Sequence, residues 1–252
     1  MKQYGLIGFP LSHSFSPDYF AKLFAREKRK DCRYDAYEIS SISMLLNLIR
    51  KKKLLGMNVT IPYKQTVISL LDYLHPAALR IGAVNCVKID RRHNRLHMIG
   101  FNTDYLGFRQ TFIPCLTSAH TKALVLGSGG SSLAVRYVLK KENIPYLLVS
   151  RLASANTISY NDLTPEMVNM HTVIINTTPV GMFPETNFSP SIPYEGISSN
   201  HLLYDLIYNP AETIFLQEGR RRGAKIINGY EMLCSQAEES WKIWQSDSVF
   251  WE

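Results

Sequence analysis

Three short polar clusters carry the residue types from which acid–base chemistry is built. Asn58-Val59-Thr60-Ile61-Pro62-Tyr63-Lys64 sets an amide, a hydroxyl and an amine just after an apolar strand, and Asn102-Thr103-Asp104 adds a carboxylate. Brought together, Lys64 and Asp104 form a pair able to manage a proton, because an ammonium beside a developing oxyanion both stabilises the charge and supplies the hydrogen. His13-Ser14-Phe15-Ser16-Pro17 puts two hydroxyls beside a helix N-terminus, an arrangement suited to a carboxylate. Taken singly, the three clusters also read as a turn, an N-cap and a capping box.

A fourth feature is built to bind. Ala123-Leu124-Val125-Leu126 is an unbroken apolar run of the kind buried in a parallel sheet, and it opens on Gly127-Ser128-Gly129-Gly130-Ser131-Ser132 ahead of a helix. Glycines there let the backbone approach a pyrophosphate, whose charge the helix N-terminus can meet. Ser132 stands where glycine or alanine is usual for close packing of helix on strand. NAD enzymes place an acid about 20 residues on to hold the ribose 2′-hydroxyl. Here the second strand ends instead in Ser150-Arg151, a base suited to a 2′-phosphate. A plain glycine turn and an ordinary solvent-exposed arginine remain open as alternatives.

The elements that must position these groups alternate along the chain. Strands are predicted at Tyr4 to Gly8, Arg33 to Ile39 and Met57 to Ile61, with Ala83 to Ile89 and Leu96 to Ile99 flanking a hairpin turn. Helices are predicted from a capped start at Ser16-Pro17 and over Ile42 to Lys53. After a polar connection at Thr117 to Lys122, the strand at Ala123 to Leu126 leads through the glycine turn into a helix ending at Lys141. Further strands follow at Pro145 to Val149, Thr172 to Ile175, His201 to Ile207 and Lys225 to Ile227, and one long helix runs from Tyr230 to Trp251. Strands separated by helices of these lengths imply α/β architecture with parallel or mixed sheets.

At 252 residues, 46% apolar and 19% charged, the chain can build two modest domains with buried cores. Its net charge of +7 favours anionic ligands. The basic runs are scattered and lack interleaved aromatics, which argues against nucleic acid. Cys32, Cys86, Cys115 and Cys234 form no paired motif and read as reduced thiols. His93 and His97 have helical metal spacing but fall in a hairpin turn, so no metal is expected. With no signal segment and no apolar run of about 20 residues, a cytoplasmic protein free of membranes is expected.

Motifs in this number and order resemble those of the shikimate dehydrogenases, over essentially the whole chain. The matching stretches are Ser12-His13-Ser14-Phe15-Ser16-Pro17, Asn58 to Lys64, Gly82-Ala83-Val84-Asn85, Asn102-Thr103-Asp104 and the glycine turn. Asn176-Thr177-Thr178-Pro179-Val180-Gly181-Met182, Asp205-Leu206-Ile207-Tyr208-Asn209-Pro210, and Gly229-Tyr230-Glu231-Met232 with Gln236 complete the set. The resemblance implies an N-terminal α/β substrate domain over 1–103, completed by a returning C-terminal helix over 230–252, and a Rossmann-like NADP-binding domain over 104–229. It implies NADPH-dependent, reversible reduction of 3-dehydroshikimate to shikimate in chorismate and aromatic amino-acid biosynthesis, by a monomer or homodimer.

By position, the resemblance makes Lys64 and Asp104 the catalytic pair and gives Ser14 and Ser16 the substrate carboxylate. Thr60, Asn85, Tyr208 and Gln236 would contact its hydroxyls or ring. Gly127, Ser128, Gly129, Gly130, Ser131, Ser150, Arg151, Thr177, Leu206, Gly229 and Met232 would line the cofactor. Leu152 replaces a frequent Thr, Ala155 a common second base, and Asn228 a usual Asp, departures that bear on the strength of the NADP preference. An NAD-dependent quinate/shikimate dehydrogenase and a non-catalytic small-molecule sensor on the same fold are the competing readings; Arg151 weighs against the first and the retained Lys64 and Asp104 against the second.

Overall fold

Residues 1–11, 14–91 and 95–246 are described by a computed structural model, which divides the chain into two units, Met1–Leu106 with Cys234–Glu252, and Gly107–Leu233. Ser12, His13 and His93, and the predicted end of the last helix beyond Ser246, lie outside the described residues.

The first unit holds β1 (Lys2–Gly8), α1 (Ser16–Arg26), β2 (Cys32–Glu38), α2 (Leu45–Lys52), β3 (Leu54–Val59), β4 (Tyr73–Leu74), α3 (Pro76–Ile81), β5 (Cys86–Asp90), β6 (His97–Phe101) and the start of α4 (Asp104–Phe112). Its mixed sheet has the order β2-β1-β3-β5-β6-β4, with β5 antiparallel to both β3 and β6. The second unit holds β7 (Ala123–Leu126), α5 (Gly130–Lys141), β8 (Tyr146–Ser150), β9 (Thr157–Ser159), α6 (Pro165–Met170), β10 (Val173–Asn176), β11 (Leu202–Asp205), α7 (Ile214–Arg221) and β12 (Lys225–Ile227); α8 (Tyr230–Gln245) begins in it and ends in the first. Its sheet runs β12-β11-β10-β7-β8-β9 with every pairing parallel. Read from β9, this is the doubly wound order 3-2-1-4-5-6, in which the direction of winding reverses between β7 and β10.

Both faces of the first sheet are covered, which explains the apolar strands. Ile7, Met57 and Val59 pack with Leu45 and Ile49 of α2, while Tyr4 and Leu6 pack with Phe20, Leu23 and Phe24 of α1 and Trp241 and Trp244 of α8. Among the boundaries that differ from the sequence reading, three bear on the polar clusters or their supports. Ser16 is the first helical residue rather than the cap: Phe15 occupies the N-cap, and it is the Ser14 hydroxyl that accepts from the Ser16 N–H at 3.3 Å. The expected helix from Ile42 opens as a 3-10 turn over Ile42–Met44, capped by the Ser41 hydroxyl. The strand expected at Met57 begins at Leu54, because the register with β1 pairs Gln3 with Leu54, and it stops at Val59, where the chain enters the turn closed by the Tyr63 N–H on the Thr60 carbonyl.

Asp205 closes β11 fully buried, accepting from Asn176 Nδ2 (3.0 Å), the Ile207 N–H (3.0 Å) and Thr213 Oγ1 (2.6 Å). Burial pushes its carboxyl up to about 7, opposed by those hydrogen bonds. A proton held more tightly folded than unfolded stabilises fully at low pH, and that contribution fades as pH rises through the folded value. Wild-type stability relative to Asp205→Asn should therefore fall by a few kcal/mol between about pH 4 and pH 7. Urea unfolding at both ends of that window checks the slope; parallel curves would show that Asp205 titrates normally.

Candidate active site

In the first unit, Lys64 Nζ donates to Asp104 Oδ2 at 2.6 Å, with side-chain exposures of only 12% and 9%. Local structure holds each partner from behind. The chain leaves β3 in a turn closed by the Tyr63 N–H on the Thr60 carbonyl, and the buried Tyr63 hydroxyl ties that turn to the Ile39 carbonyl at 2.6 Å. Lys64 is fixed in turn by its carbonyl, which accepts from the Val84 N–H at 2.7 Å. Asp104 opens α4, where Asn102 caps the helix by accepting from the Tyr105 N–H and anchors itself on the Ala83 carbonyl.

Asn85, almost fully buried between β5 and the turn before it, joins these groups. Its Oδ1 accepts from the Thr103 N–H at 2.6 Å, which turns the two hydrogens of Nδ2 toward Asp104 Oδ1 (2.7 Å) and Thr103 Oγ1 (3.0 Å), with Gln236 Oε1 beside them at 3.3 Å. Both Asp104 oxygens are thus acceptors, one from an ammonium and one from an amide. Lys64, Asp104, Asn85 and Gln236 therefore form one connected group. Thr60 lies in the same turn as Lys64, with its N–H on the Ile7 carbonyl, and Ser14 and Ser16 flank the start of α1, where Ser16 lies against the Tyr34 phenol. Two members were given no role in the sequence reading: Thr103, named there only within its cluster, and Ser240, which touches Thr103 at 3.0 Å from one helical turn beyond Gln236. Four-residue spacing on one helix face was the available signal for Ser240.

The second unit carries the candidate cofactor residues. Gly127 adopts a φ of +101°, open to glycine, and a Cβ there would lie 2.8 Å from Thr178 Cγ2 and 2.9 Å from Thr177 Oγ1. Thr177, after β10, donates its hydroxyl to the Leu126 carbonyl at 2.6 Å, so the two loops at the winding reversal are bound together. Gly129 is the N-cap of α5 with no side-chain cap, and nothing lies within 4 Å of where its Cβ would be, leaving open space before the N–H groups of Gly130 and Ser131. Ser132 is fully buried with no hydrogen-bond partner for its hydroxyl among the described residues. This cradle fits a dinucleotide pyrophosphate. Ser150, whose hydroxyl turns back to the Leu152 carbonyl at 2.7 Å, and exposed Arg151 end β8 without an acid. Gly229 passes so close to the Leu206 carbonyl that no side chain fits, Met232 is buried, and Tyr208 is half-buried. Asn228 accepts from the Tyr230 N–H at 3.2 Å in the turn that leads into α8, a bond Asp could make as well. No group of three metal-ligating side chains gathers among the described residues, and His97 opens β6.

A doubly wound dinucleotide-type sheet, in one chain with an α/β unit bearing a buried lysine–carboxylate pair, defines a nicotinamide-dependent oxidoreductase. Residues 6–87 match the family model described as the shikimate dehydrogenase substrate binding domain. A shikimate dehydrogenase (NADP(+)) of Methanococcus vannielii is 34% identical over 261 residues, covering 95% of this chain and 90% of that protein. The crystal structure of the Aquifex aeolicus shikimate dehydrogenase superposes with a TM-score of 0.86 at 34% identity, covering 99% of this chain and 94% of that one. The Thermus thermophilus enzyme, solved with NADP(H) and shikimate, gives 0.84 at 27% identity over 97% and 94%. The chain belongs to the shikimate dehydrogenase family.

The glycine turn yields a direct test. Gly127→Ala forces a side chain into a left-handed backbone and against the Thr177-Thr178 loop. NADPH binding, followed by nucleotide fluorescence, should weaken about tenfold or more, with a loss of a few degrees in Tm. Wild-type affinity in this variant would remove the turn from the cofactor site.

Proposed function

We propose that the protein catalyses the reversible, NADPH-dependent reduction of 3-dehydroshikimate to shikimate in chorismate and aromatic amino-acid biosynthesis, acting in the cytoplasm on small molecules. The observation that carries this reading is the Lys64–Asp104 pair, nearly buried and aligned at 2.6 Å beside Asn85 and Gln236. When bound, the dinucleotide supplies the hydride. Lys64 stabilises the alkoxide charge that grows on the ketone oxygen, and the Lys64–Asp104 pair delivers the proton that makes it a hydroxyl, so one ketone takes up one hydride and one proton.

Ser14 and Ser16, at the start of α1, hold the substrate carboxylate. Thr60, Asn85, Tyr208 and Gln236 orient its hydroxyls and ring, their amides and hydroxyls discriminating against analogues that lack a matching group. Gly127 to Ser131 cradle the pyrophosphate; Thr177, Leu206, Gly229 and Met232 line the rest of the cofactor, and Ser150 with Arg151 takes the 2′-phosphate. The guanidinium can fork onto phosphate oxygens, as a carboxylate there would not. Turnover of shikimate and quinate with NADP and NAD separates this reading from the quinate-type and sensor alternatives.

Replacing Lys64 by Ala should lower kcat about 10²–10⁴-fold with a smaller change in KM, the worth of a positioned acid–base group. Retention of more than about a tenth of wild-type kcat would overturn its role.

With Ala155 in place of a second base, cofactor preference rests on Arg151 alone. NADPH should be preferred over NADH about 10- to 100-fold in kcat/KM, roughly 1.4–2.7 kcal/mol. Arg151→Ala should erase most of that by raising the NADPH KM while NADH activity holds. Equal use of the two cofactors by wild type would refute the assignment of this strand end.

A further inference from the structure

Behind the candidate active site runs a second tier of buried polar groups that the reaction itself does not call for. Tyr34 Oη donates to Asn58 Oδ1 at 2.9 Å, and Asn58 Nδ2 donates to Ser240 Oγ at 2.8 Å and to the Asn85 carbonyl at 3.2 Å. Ser240 spends its own proton on the Gln236 carbonyl one turn back, at 2.9 Å, and Thr103 Oγ1 lies 3.0 Å from Ser240 Oγ. Ser240 and Thr103 are fully buried, and Asn58, Tyr34, Asn85 and Gln236 nearly so. Two β-strands (β2 and β3), the connections before β5 and α4, and α8 supply the members, so the arrangement is not a by-product of one local turn.

Proton counting sets the direction of each bond. A hydroxyl has one hydrogen. With that of Ser240 on the Gln236 carbonyl, the contact between Ser240 and Thr103 requires the Thr103 hydroxyl to donate. The Thr103 oxygen is then an acceptor for Asn85 Nδ2, whose other hydrogen goes to Asp104 Oδ1. Were Thr103 free to turn, its hydrogen would reach Asn85 Oδ1 (3.3 Å) or Gln236 Oε1 (3.4 Å) instead. Ser240, by accepting from both Asn58 and Thr103, keeps it from doing so.

We propose that Ser240, held by Asn58 and Tyr34, is a positioning residue that sets the Thr103 hydroxyl and through it the donor directions of Asn85 beside the Lys64–Asp104 pair. The inference rests on the dehydrogenase reading for its catalytic consequence, but the hydrogen-bond order it asserts exists in the free protein. Other titratable groups facing this chain are the Tyr34 phenol and the Cys86 thiol, with Lys88 nearby; burial raises the phenol well above its usual range and the thiol to about 12, so a shift in a pH profile near neutrality is not theirs.

The test uses the full chain with Ser240→Ala and Tyr34→Phe, and Ile49→Val in the core beneath α2 as a variant that loosens packing alone. Ser240→Ala should lower kcat about tenfold, raise the dehydroshikimate KM several-fold, and leave the NADPH KM within about twofold. Its kcat–pH profile should move by about half a unit or more, and Tyr34→Phe should do the same to a smaller degree. In ¹H–¹⁵N spectra of the free protein, the Asn85 side-chain amide signals should shift in both variants but not in Ile49→Val. Unmoved amide signals, or a kinetic change that Ile49→Val reproduces, would overturn the proposal. A wild type inactive on dehydroshikimate would defeat the functional reading alone, since the amide signals still report whether Ser240 orders Asn85.

Discussion

Asn85 is gripped at its carbonyl oxygen by the Thr103 backbone N–H at 2.6 Å, and an amide held this way can face in only one direction. Reversed, it would point two N–H groups at another N–H and turn an oxygen toward the Asp104 carboxylate, losing a charge-assisted bond and burying unmatched polar atoms at a cost of several kcal/mol. The grip is a main-chain one, given by the bend between β6 and α4, so the backbone sets which way the amide faces, while the Thr103 hydroxyl turned by Ser240 sets the acceptor of its second hydrogen. From it follow the donor on Asp104, the carboxylate oxygen left for Lys64, and the contact with Gln236. The acid–base pair is therefore as rigid as the antiparallel pairing of β5 with β6.

That pairing is braced from the other side by aromatic packing. Tyr4 stacks on Trp244 at 5.0 Å and meets Trp241 edge-on at 5.4 Å, while Phe20 stacks on Tyr34 at 4.1 Å. Both indole N–H groups are satisfied, Trp244 on the Val87 carbonyl and Trp241 on Glu27. Rings of this size contribute large buried area with fixed geometry, which suits a face that must hold a helix at a defined register. The register matters because the same helix presents Gln236 and Ser240 toward the polar chain.

Much of this was legible in the residue pattern. The run Ala123 to Leu126 emerged as β7 with those bounds, and the helix beyond the glycine turn ended at Lys141, because buried parallel strands and glycine punctuation are local signals. The short β4 and β9 and the helices α3, α6 and α7 went unread; each is only two to eight residues long, too brief for periodicity to separate from a loop. Lys64 and Asp104 were legible as chemistry by residue type, whereas their contact is a fact of topology. Tyr34, Asn58 and Ser240 were the hardest to place. A tyrosine on an edge strand and a serine in a late helix carry no local mark of each other, and Asn58 meets Ser240 across 182 positions of chain.

Such separation has a consequence for how the molecule comes into being. The first unit is written in two instalments, with the whole of the second unit between them. Until α8 emerges from the ribosome, the α1 face of the first sheet lacks Trp241 and Trp244, and its buried asparagines lack Gln236 and Ser240. A growing chain therefore holds a half-covered sheet until α8 docks, and the Gln236 and Ser240 contacts beside the acid–base pair form only then.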